Sequence, residues 1–318
     1  MEDTAGYSRS FPVMGTKAQV TLVDEAGVHS SCEQAELLAD QAKRRLEDLE
    51  QRWSRFLPNS ELSQINHSDG VPTVVSSETY ALISAAIDAY GMTGGAFDPT
   101  IGAAMASAGY DRPLGLIDRS IEVDPNRYQA APGPSEITLD PYTSAVQVPA
   151  GIVLDLGGIA KGAAADLVAS EMCQAGAIGC LVSVGGDMAM AGTPPKSQGW
   201  QIALDCPGSV ETFVIGVTSG AVCTSTRTSR TWGDDHHLRD PGSGAPLDTG
   251  LASVTVISAR AIQGEILTKA VFAAGPRDGA ELVANSNATG MLVLDDGTVV
   301  SLPGLEAFMA AANQPRPV

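Results

Sequence analysis

The sequence predicts an α+β body in two lobes, with mixed sheets and helices, and three observations carry this expectation. The 318 residues are many for one simple core and suit a single large domain or two lobes sharing a cleft. In some segments apolar residues recur at threes and fours, the helical period; others are short apolar runs closed by glycine, the mark of buried strands. A proline-punctuated connection over 110–150 divides an N-terminal lobe, 1–110, from a C-terminal lobe, 151–318, and the whole chain is read as one domain.

Residues 18–23 read as a short strand. Ser30-Ser31-Cys32-Glu33 has the Ser-x-x-Glu spacing of a capping box, and Leu38, Ala42, Leu46, Leu49, Trp53 and Phe56 continue it as an amphipathic helix. Lys43, Arg44, Arg45, Glu47, Asp48 and Glu50 fall on the opposite, solvated face. A second helix is expected over 77–90, stopped by Gly91 and Gly94-Gly95. Six prolines between 110 and 149 predict irregular loops with short strands. Residues 152–156 read as an apolar strand, 157–162 as a glycine-rich turn and 163–175 as a helix ended by Gly176. Strands follow at 180–184, 200–205, 213–217 and 254–258, then a helix over 261–274 and a hairpin turning at Asp295-Asp296-Gly297. No repeat of 20–50 residues is visible, which removes solenoids and propellers.

Composition excludes several functions. Acidic residues number 37 against 19 basic ones, a net charge of -18, and such a surface repels nucleic-acid backbones and anionic membranes. An anionic ligand therefore needs a local cationic cluster. The five cysteines, Cys32, Cys173, Cys180, Cys206 and Cys223, form no CxxC pair, against a disulfide framework or a cysteine-rich zinc site. No apolar stretch is long enough to span a membrane, and as written the chain reads as cytoplasmic, although a removed export signal leaves no trace in it. P-loop, zincin, nucleophile-elbow and S-x-x-K signatures are all missing, and four histidines leave little for a multi-histidine metal centre.

Four segments exceed what packing demands. Thr93-Gly-Gly-Ala-Phe97-Asp98-Pro-Thr100 is readable as turn chemistry alone or as a cleft wall. In Asp155-Leu-Gly157-Gly158-Ile-Ala160-Lys161-Gly162 a strand breaks into glycines and reopens as a helix. Free N–H groups at that helix start, with Lys161, one of only five lysines, make a recipe for binding pyrophosphate; the bland alternative is a turn with a surface lysine. Ser183-Val-Gly185-Gly186-Asp187 closes an apolar strand with a glycine pair that lets a ring or another backbone approach. The fourth segment runs from Thr224-Ser225-Thr226 through Arg227, Arg230 and His236-His237-Leu-Arg239-Asp240-Pro241 to Gly244. Its three arginines and two adjacent histidines are readable as a solvated basic loop or as a functional one.

In order along the chain, Met14-Gly-Thr16, the Ser54-Arg-Phe…Ser60-Glu-Leu-Ser…Ile-Asn66 stretch, GGAFDPT, DLGGIAKG, SVGGD, the Thr-Ser at 224 and HHLRDP resemble the successive signatures of the FAD:protein FMN transferases, the ApbE family. The resemblance implies a flavin cleft between the lobes, FAD as substrate, Mg²⁺ at its pyrophosphate, release of AMP, and an acceptor protein carrying a flavinylation threonine. It further implies a pyrophosphate cradle from Gly157, Gly158, Ala160, Lys161 and Gly162. Met14, Phe97, Asp98, Gly185, Gly186, Asp187, Thr224 and Ser225 would line or support the cleft. His237 is the candidate general base, Arg230 and Arg239 would neutralise phosphate charge, and Asp240 would act in or hold the His237 loop. The metal would fall to the Ala160 carbonyl and Glu265. Here the chain departs from the pattern: Lys269 stands where the family has a threonine ligand, a protonated lysine is no ligand, and Thr226 replaces the usual glycine. A second reading stays open on these grounds, a flavin-binding protein with weak or no transfer, acting as a carrier or an FAD pyrophosphatase.

Overall fold

The computed structural model describes residues 7–23, 32–118, 120, 123–195, 199–204, 206–208 and 213–309. Its centre is an eight-stranded antiparallel sheet of β1 (Tyr7–Val13), β2 (Thr16–Val23), β3 (Gly179–Val184), β4 (Asp187–Gly192), β5 (Gly220–Thr226), β6 (Leu251–Ser258), β7 (Thr289–Leu294) and β8 (Val299–Ser301), adjacent in that order. The first two strands come from the stretch assigned to the N-terminal lobe, yet β2 pairs with β3 from Ala18 opposite Val184 to Val23 opposite Gly179. Both ends of the chain therefore build one sheet.

Side-chain alternation covers both faces. In β5, Ala221 and Cys223 enter the core that contains the helices, while Val222 enters a second core with Trp200, Ile202, Ile215 and Val217. Those last four lie on the antiparallel pair Trp200–Leu204 and Phe213–Val217. On the helical side lie α1 (Cys32–Trp53), α2 (Glu61–Asn66), α3 (Ser77–Met92), α4 (Gly102–Ser107), α5 (Ala160–Gln174) and α6 (Ala261–Asn285).

Two turns that carry site residues are tight hairpins. Met14-Gly15 joins β1 to β2 and Gly185-Gly186 joins β3 to β4, and all four residues have positive φ (53°, 65°, 61° and 97°). This is the conformation that two-residue hairpins require. Met14 adopts it without being glycine, a cost that side chains normally avoid.

The structure corrects several expectations. Residues 152–156 form no strand, only an isolated bridge between Val153 and Ile101. The side-chain amide of Asn66 takes both backbone groups of Leu154, donating to its O (2.9 Å) and accepting from its N (2.8 Å), so a side chain does what a neighbouring strand would. Helix α1 stops at Trp53, whose indole N–H donates to the Thr79 hydroxyl, and Phe56 lies beyond it. The capping serines Ser30 and Ser31 fall outside the described residues, as does Asp205. Helix α5 opens at Ala160, three residues before the expected 163. Helix α6 runs to Asn285 with a break at Gly275 (φ 80°) ahead of Pro276. Strands β1, β4 and β5 were not expected from the sequence, β5 because its Thr-Ser-Thr end reads as loop.

Helices α5 and α6 cross where Gly162 lets them touch: a Cβ there would lie 2.3 Å from the Ala261 carbonyl oxygen. Gly162→Ala is expected to destabilise the fold by about 1–3 kcal/mol or more, the usual cost of overpacking, read as a lower midpoint in urea. An unchanged midpoint would mean that the two helices slide apart freely.

Candidate active site

The crossing of α5 and α6 fixes the chemistry at its heart. Arg260 at the start of α6 gives no side-chain cap; instead the Asp166 carboxylate, from α5, accepts from the N–H groups of Ala261 (2.8 Å) and Ile262 (3.0 Å). One turn along each helix, Glu265 Oε2 accepts from the Gly162 N–H at 2.7 Å. These two rungs hold Glu265, fully buried, against the first turn of α5. The Lys161 ammonium reaches Glu265 Oε1 and lies 2.8 Å from Asp187 Oδ2, and Lys269 Nζ lies 3.3 Å from the same Glu265 Oε1.

Burial by itself would raise the Glu265 carboxyl, but Lys161, Lys269 and the Gly162 N–H overcome it and hold it down at about 2. The Lys161 ammonium is likewise favoured: burial opposes the charge, and Asp187 and Glu265 more than offset that. Burial and the Glu265 charge push the Asp187 carboxyl up, and its Oδ1 has no hydrogen-bond partner among the described residues.

A cleft of about 330 Å³ opens beside this cluster, within the range of small-molecule sites. It is lined by Lys161, Lys269, Arg230 and His237 and by Trp53, Phe56, Met105, Tyr110 and Leu114. The aromatic side chains form one cluster, Tyr110 stacked on Trp232 and tilted against Phe56. Tyr110 lies 5.1 Å from Trp232 and 5.5 Å from Phe56, and the Arg55 guanidinium covers both Phe56 and Tyr110. Arg55 is tied to Asp155 at 2.8 Å and donates to the Tyr110 carbonyl, so it joins the aromatic wall to the glycine turn at 157–158. That turn needs glycine: a Cβ on Gly158 would press on the Phe97 ring at 3.0 Å.

His237 enters the cleft on the loop between β5 and β6. Its N–H donates to the Arg230 carbonyl at 3.1 Å, and its ring Nδ1 is buried without a partner among the described residues. Burial, then the charges of Arg230 and Lys269, push its pKa well below the ordinary histidine value, so the ring is a neutral proton acceptor. His236 is depressed as well, by burial and by Arg239. A depressed folded-state value means that the unfolded chain binds the proton first. Stability contributed by these rings is complete above about pH 6.5 and is lost as pH falls below it, by at most about 1.4 kcal/mol per unit for each ring. The melting temperature is expected to drop between pH 7 and pH 5, and less steeply in His237→Gln. Equal slopes in both proteins would contradict the buried neutral ring.

Of the residues singled out in the sequence, Met14, Phe97, Asp98, Gly157, Gly158, Ala160, Lys161, Arg230, His237, Arg239 and Lys269 line this one cleft. Others stand behind it. Gly162 spends its N–H on Glu265, so the helix start is not the free cradle expected. Gly185 and Gly186 make the hairpin that delivers Asp187. Thr224 bonds Thr255 (2.9 Å) and Ser225 bonds Thr268 (2.8 Å), tying β5 to β6 and α6. Asp98 Oδ1 accepts from the Thr100 N–H and hydroxyl. Asp240 accepts from Gly242 N and the Ser243 hydroxyl within its own turn. The Arg239 guanidinium is buried 2.8 Å from Asp235 and 5.3 Å from the rings of Tyr128 and Trp232. Arg55, Asp155 and the aromatic wall were not read as site residues, although Ser54-Arg55-Phe56 was already among the quoted motifs.

The residues present do not fit the divalent cation that the resemblance implies. Such an ion wants an oxygen-rich shell, but Oε1 of Glu265 is met by two ammonium groups and Oε2 by Gly162. At an effective dielectric of 20, a doubly charged ion 4 Å from one ammonium meets repulsion on the order of 8 kcal/mol, so each ammonium cancels the attraction of one carboxylate at that distance. Among the described residues no group of three or more His, Cys, Asp or Glu side chains could hold a metal ion.

The cleft is lined by aromatic side chains and by fixed cations, the two kinds of surface that a ligand carrying rings and phosphates needs. The profile of the ApbE family matches residues 14–293, and the chain belongs to that family. It is 31% identical over 291 residues to the FAD:protein FMN transferase of Klebsiella pneumoniae, covering 88% of this chain and 86% of that one. The Vibrio cholerae FAD:protein FMN transferase is 27% identical over 299 residues, covering 91% and 88%. Among solved structures, the ApbE protein of Thermotoga maritima superposes with a TM-score of 0.83 at 25% identity, covering 96% of this chain and 99% of its own. The Vibrio cholerae flavin transferase ApbE gives 0.79 at 24% identity over 96% and 100%.

Proposed function

We propose that this protein is an FAD:protein FMN transferase that moves FMN from FAD to a threonine hydroxyl of an acceptor protein and releases AMP. The observation that carries the reading is a neutral His237 ring, its Nδ1 without a partner among the described residues, in the same cleft as Lys161, Lys269, Arg230 and the rings of Phe56 and Tyr110. Family membership and the names of the relatives support transfer over simple flavin carriage.

In the reaction the acceptor Oγ bonds to the phosphorus of the FMN half, and its proton passes to His237. The bond from that phosphorus to the bridging oxygen breaks, and AMP leaves with that oxygen. Negative charge growing on the departing phosphate faces Lys161, Lys269 and Arg230, the positioning and charge neutralisation on which phosphoryl transfer depends. Arg55, Tyr110 and Phe56 offer a surface for a planar ring. Arg239 and Asp240 act as positioning residues, bracing the loop that bears His237. No helix among the described residues is long and apolar enough to cross a membrane.

The test is mass spectrometry of acceptor proteins incubated with FAD and this protein. A threonine gaining the mass of an FMN phosphoester, with AMP in equal amount, is the expected result. FMN and AMP appearing with no acceptor labelled would make the protein an FAD pyrophosphatase instead.

A further inference from the structure

We propose that the Lys269 ammonium is a built-in replacement for a divalent cation, so that the cleft binds its dinucleotide without metal. The inference rests on the FAD reading and adds how the pyrophosphate charge is met. Lys269 projects from α6 one turn after Glu265, and its stem passes over the glycine turn: Cγ would lie 3.9 Å from a Cβ placed on Gly158. Its head is 3.3 Å from Glu265 Oε1, and the residue also lines the cleft. It therefore stands between the buried carboxylate and the place where a phosphate would lie.

The cluster's charges account for the effect. Glu265 is ionised and shared by two ammonium groups, Lys161 also faces Asp187, and Arg230 adds a further positive charge on the same wall. Against the carboxylates Glu265 and Asp187, the three cations leave one net positive charge at this wall of a chain whose net charge is -18. A cation entering from solution would have to displace Lys269 from Glu265 and would then face Lys161 at close range. With Lys269 in position, a phosphate oxygen meets an ammonium donor directly, as a point charge rather than through a coordination shell.

The experiment titrates the metal-stripped full-length protein with FAD, read by quenching of flavin fluorescence, once in EDTA and once in excess Mg²⁺; calorimetry then follows Mg²⁺ added to protein alone. Dissociation constants that agree within about threefold, a difference well under one tenfold step of affinity, and no heat from Mg²⁺ are expected. In EDTA, Lys269→Gln and Lys269→Thr, each checked for folding by circular dichroism, should bind FAD at least about tenfold more weakly, a conservative reading of one lost charge-assisted bond. Wild-type binding that tightens tenfold or more with Mg²⁺, or Lys269 variants that bind FAD as wild type does in EDTA, overturn the inference while leaving the flavin reading intact. No FAD binding in either buffer overturns both.

Discussion

Replacing His237 by alanine is expected to slow FMN transfer by roughly 10²–10⁴, the range contributed by a positioned acid–base group, while FAD still binds. The loss should fall on turnover rather than on affinity, because the ring meets the acceptor proton and not the flavin. Its depressed pKa also sets the pH profile. A wild-type base already neutral well below pH 6.5 should leave the rate flat from pH 8 down past 6.5, without the fall that an ordinary histidine would give. Rapid-quench measurement of AMP release across pH 5–8 checks both points. A rate unchanged in His237→Ala would shift the proton to another group, with neighbouring His236 the first to test.

Lys161→Ala should have the largest effect on stability. It strips Glu265 and Asp187, 0% and 1% exposed, of their common counter-ion, and breaking one partner out of a buried pair typically costs about 3–5 kcal/mol. Lys269 remains on Glu265, but among the described residues no other cation is paired with Asp187. The variant is expected to lose cooperative unfolding at moderate urea and to bind FAD poorly. The deficit should narrow as pH falls toward 4, because an unpaired buried carboxyl takes up a proton more readily than a paired one. Urea melts at pH 7.5 and pH 4.5 decide this, and a loss below about 1 kcal/mol at both pH values would mean that the cluster is solvated and contributes little.

The glycine turns could be read from the sequence because local chemistry specifies them. A glycine pair closing an apolar run and a lysine just inside a helix start need no knowledge of distant residues, and Gly158, Lys161, Gly185 and Gly186 all occupy turns or helix starts as read. The Lys161–Glu265 contact spans 104 positions and no local period encodes it; only the family resemblance brought Glu265 and Lys269 into view. The missing strand at 152–156 has the same origin, since the group that satisfies Leu154 is the Asn66 amide, 88 positions away. Arg55 reads in sequence as one more charge at a helix end. Its place over two aromatic rings and beside Asp155 depends on where the irregular 110–128 segment packs, and proline-rich loops carry no period from which to infer that.

A cleft built for a flavin dinucleotide should separate FAD from ATP and NAD in calorimetric titration of the purified protein. The phosphates can meet the same Lys161, Lys269 and Arg230 in all three ligands, whereas the wide isoalloxazine ring is the part that suits the wall of Phe56, Tyr110 and Arg55. FAD should therefore bind at least about tenfold more tightly than either competitor, the worth of roughly 1.4 kcal/mol of added ring contact. ATP or NAD binding as tightly as FAD would contradict the account, because the cleft would then be recognising phosphate and adenine alone.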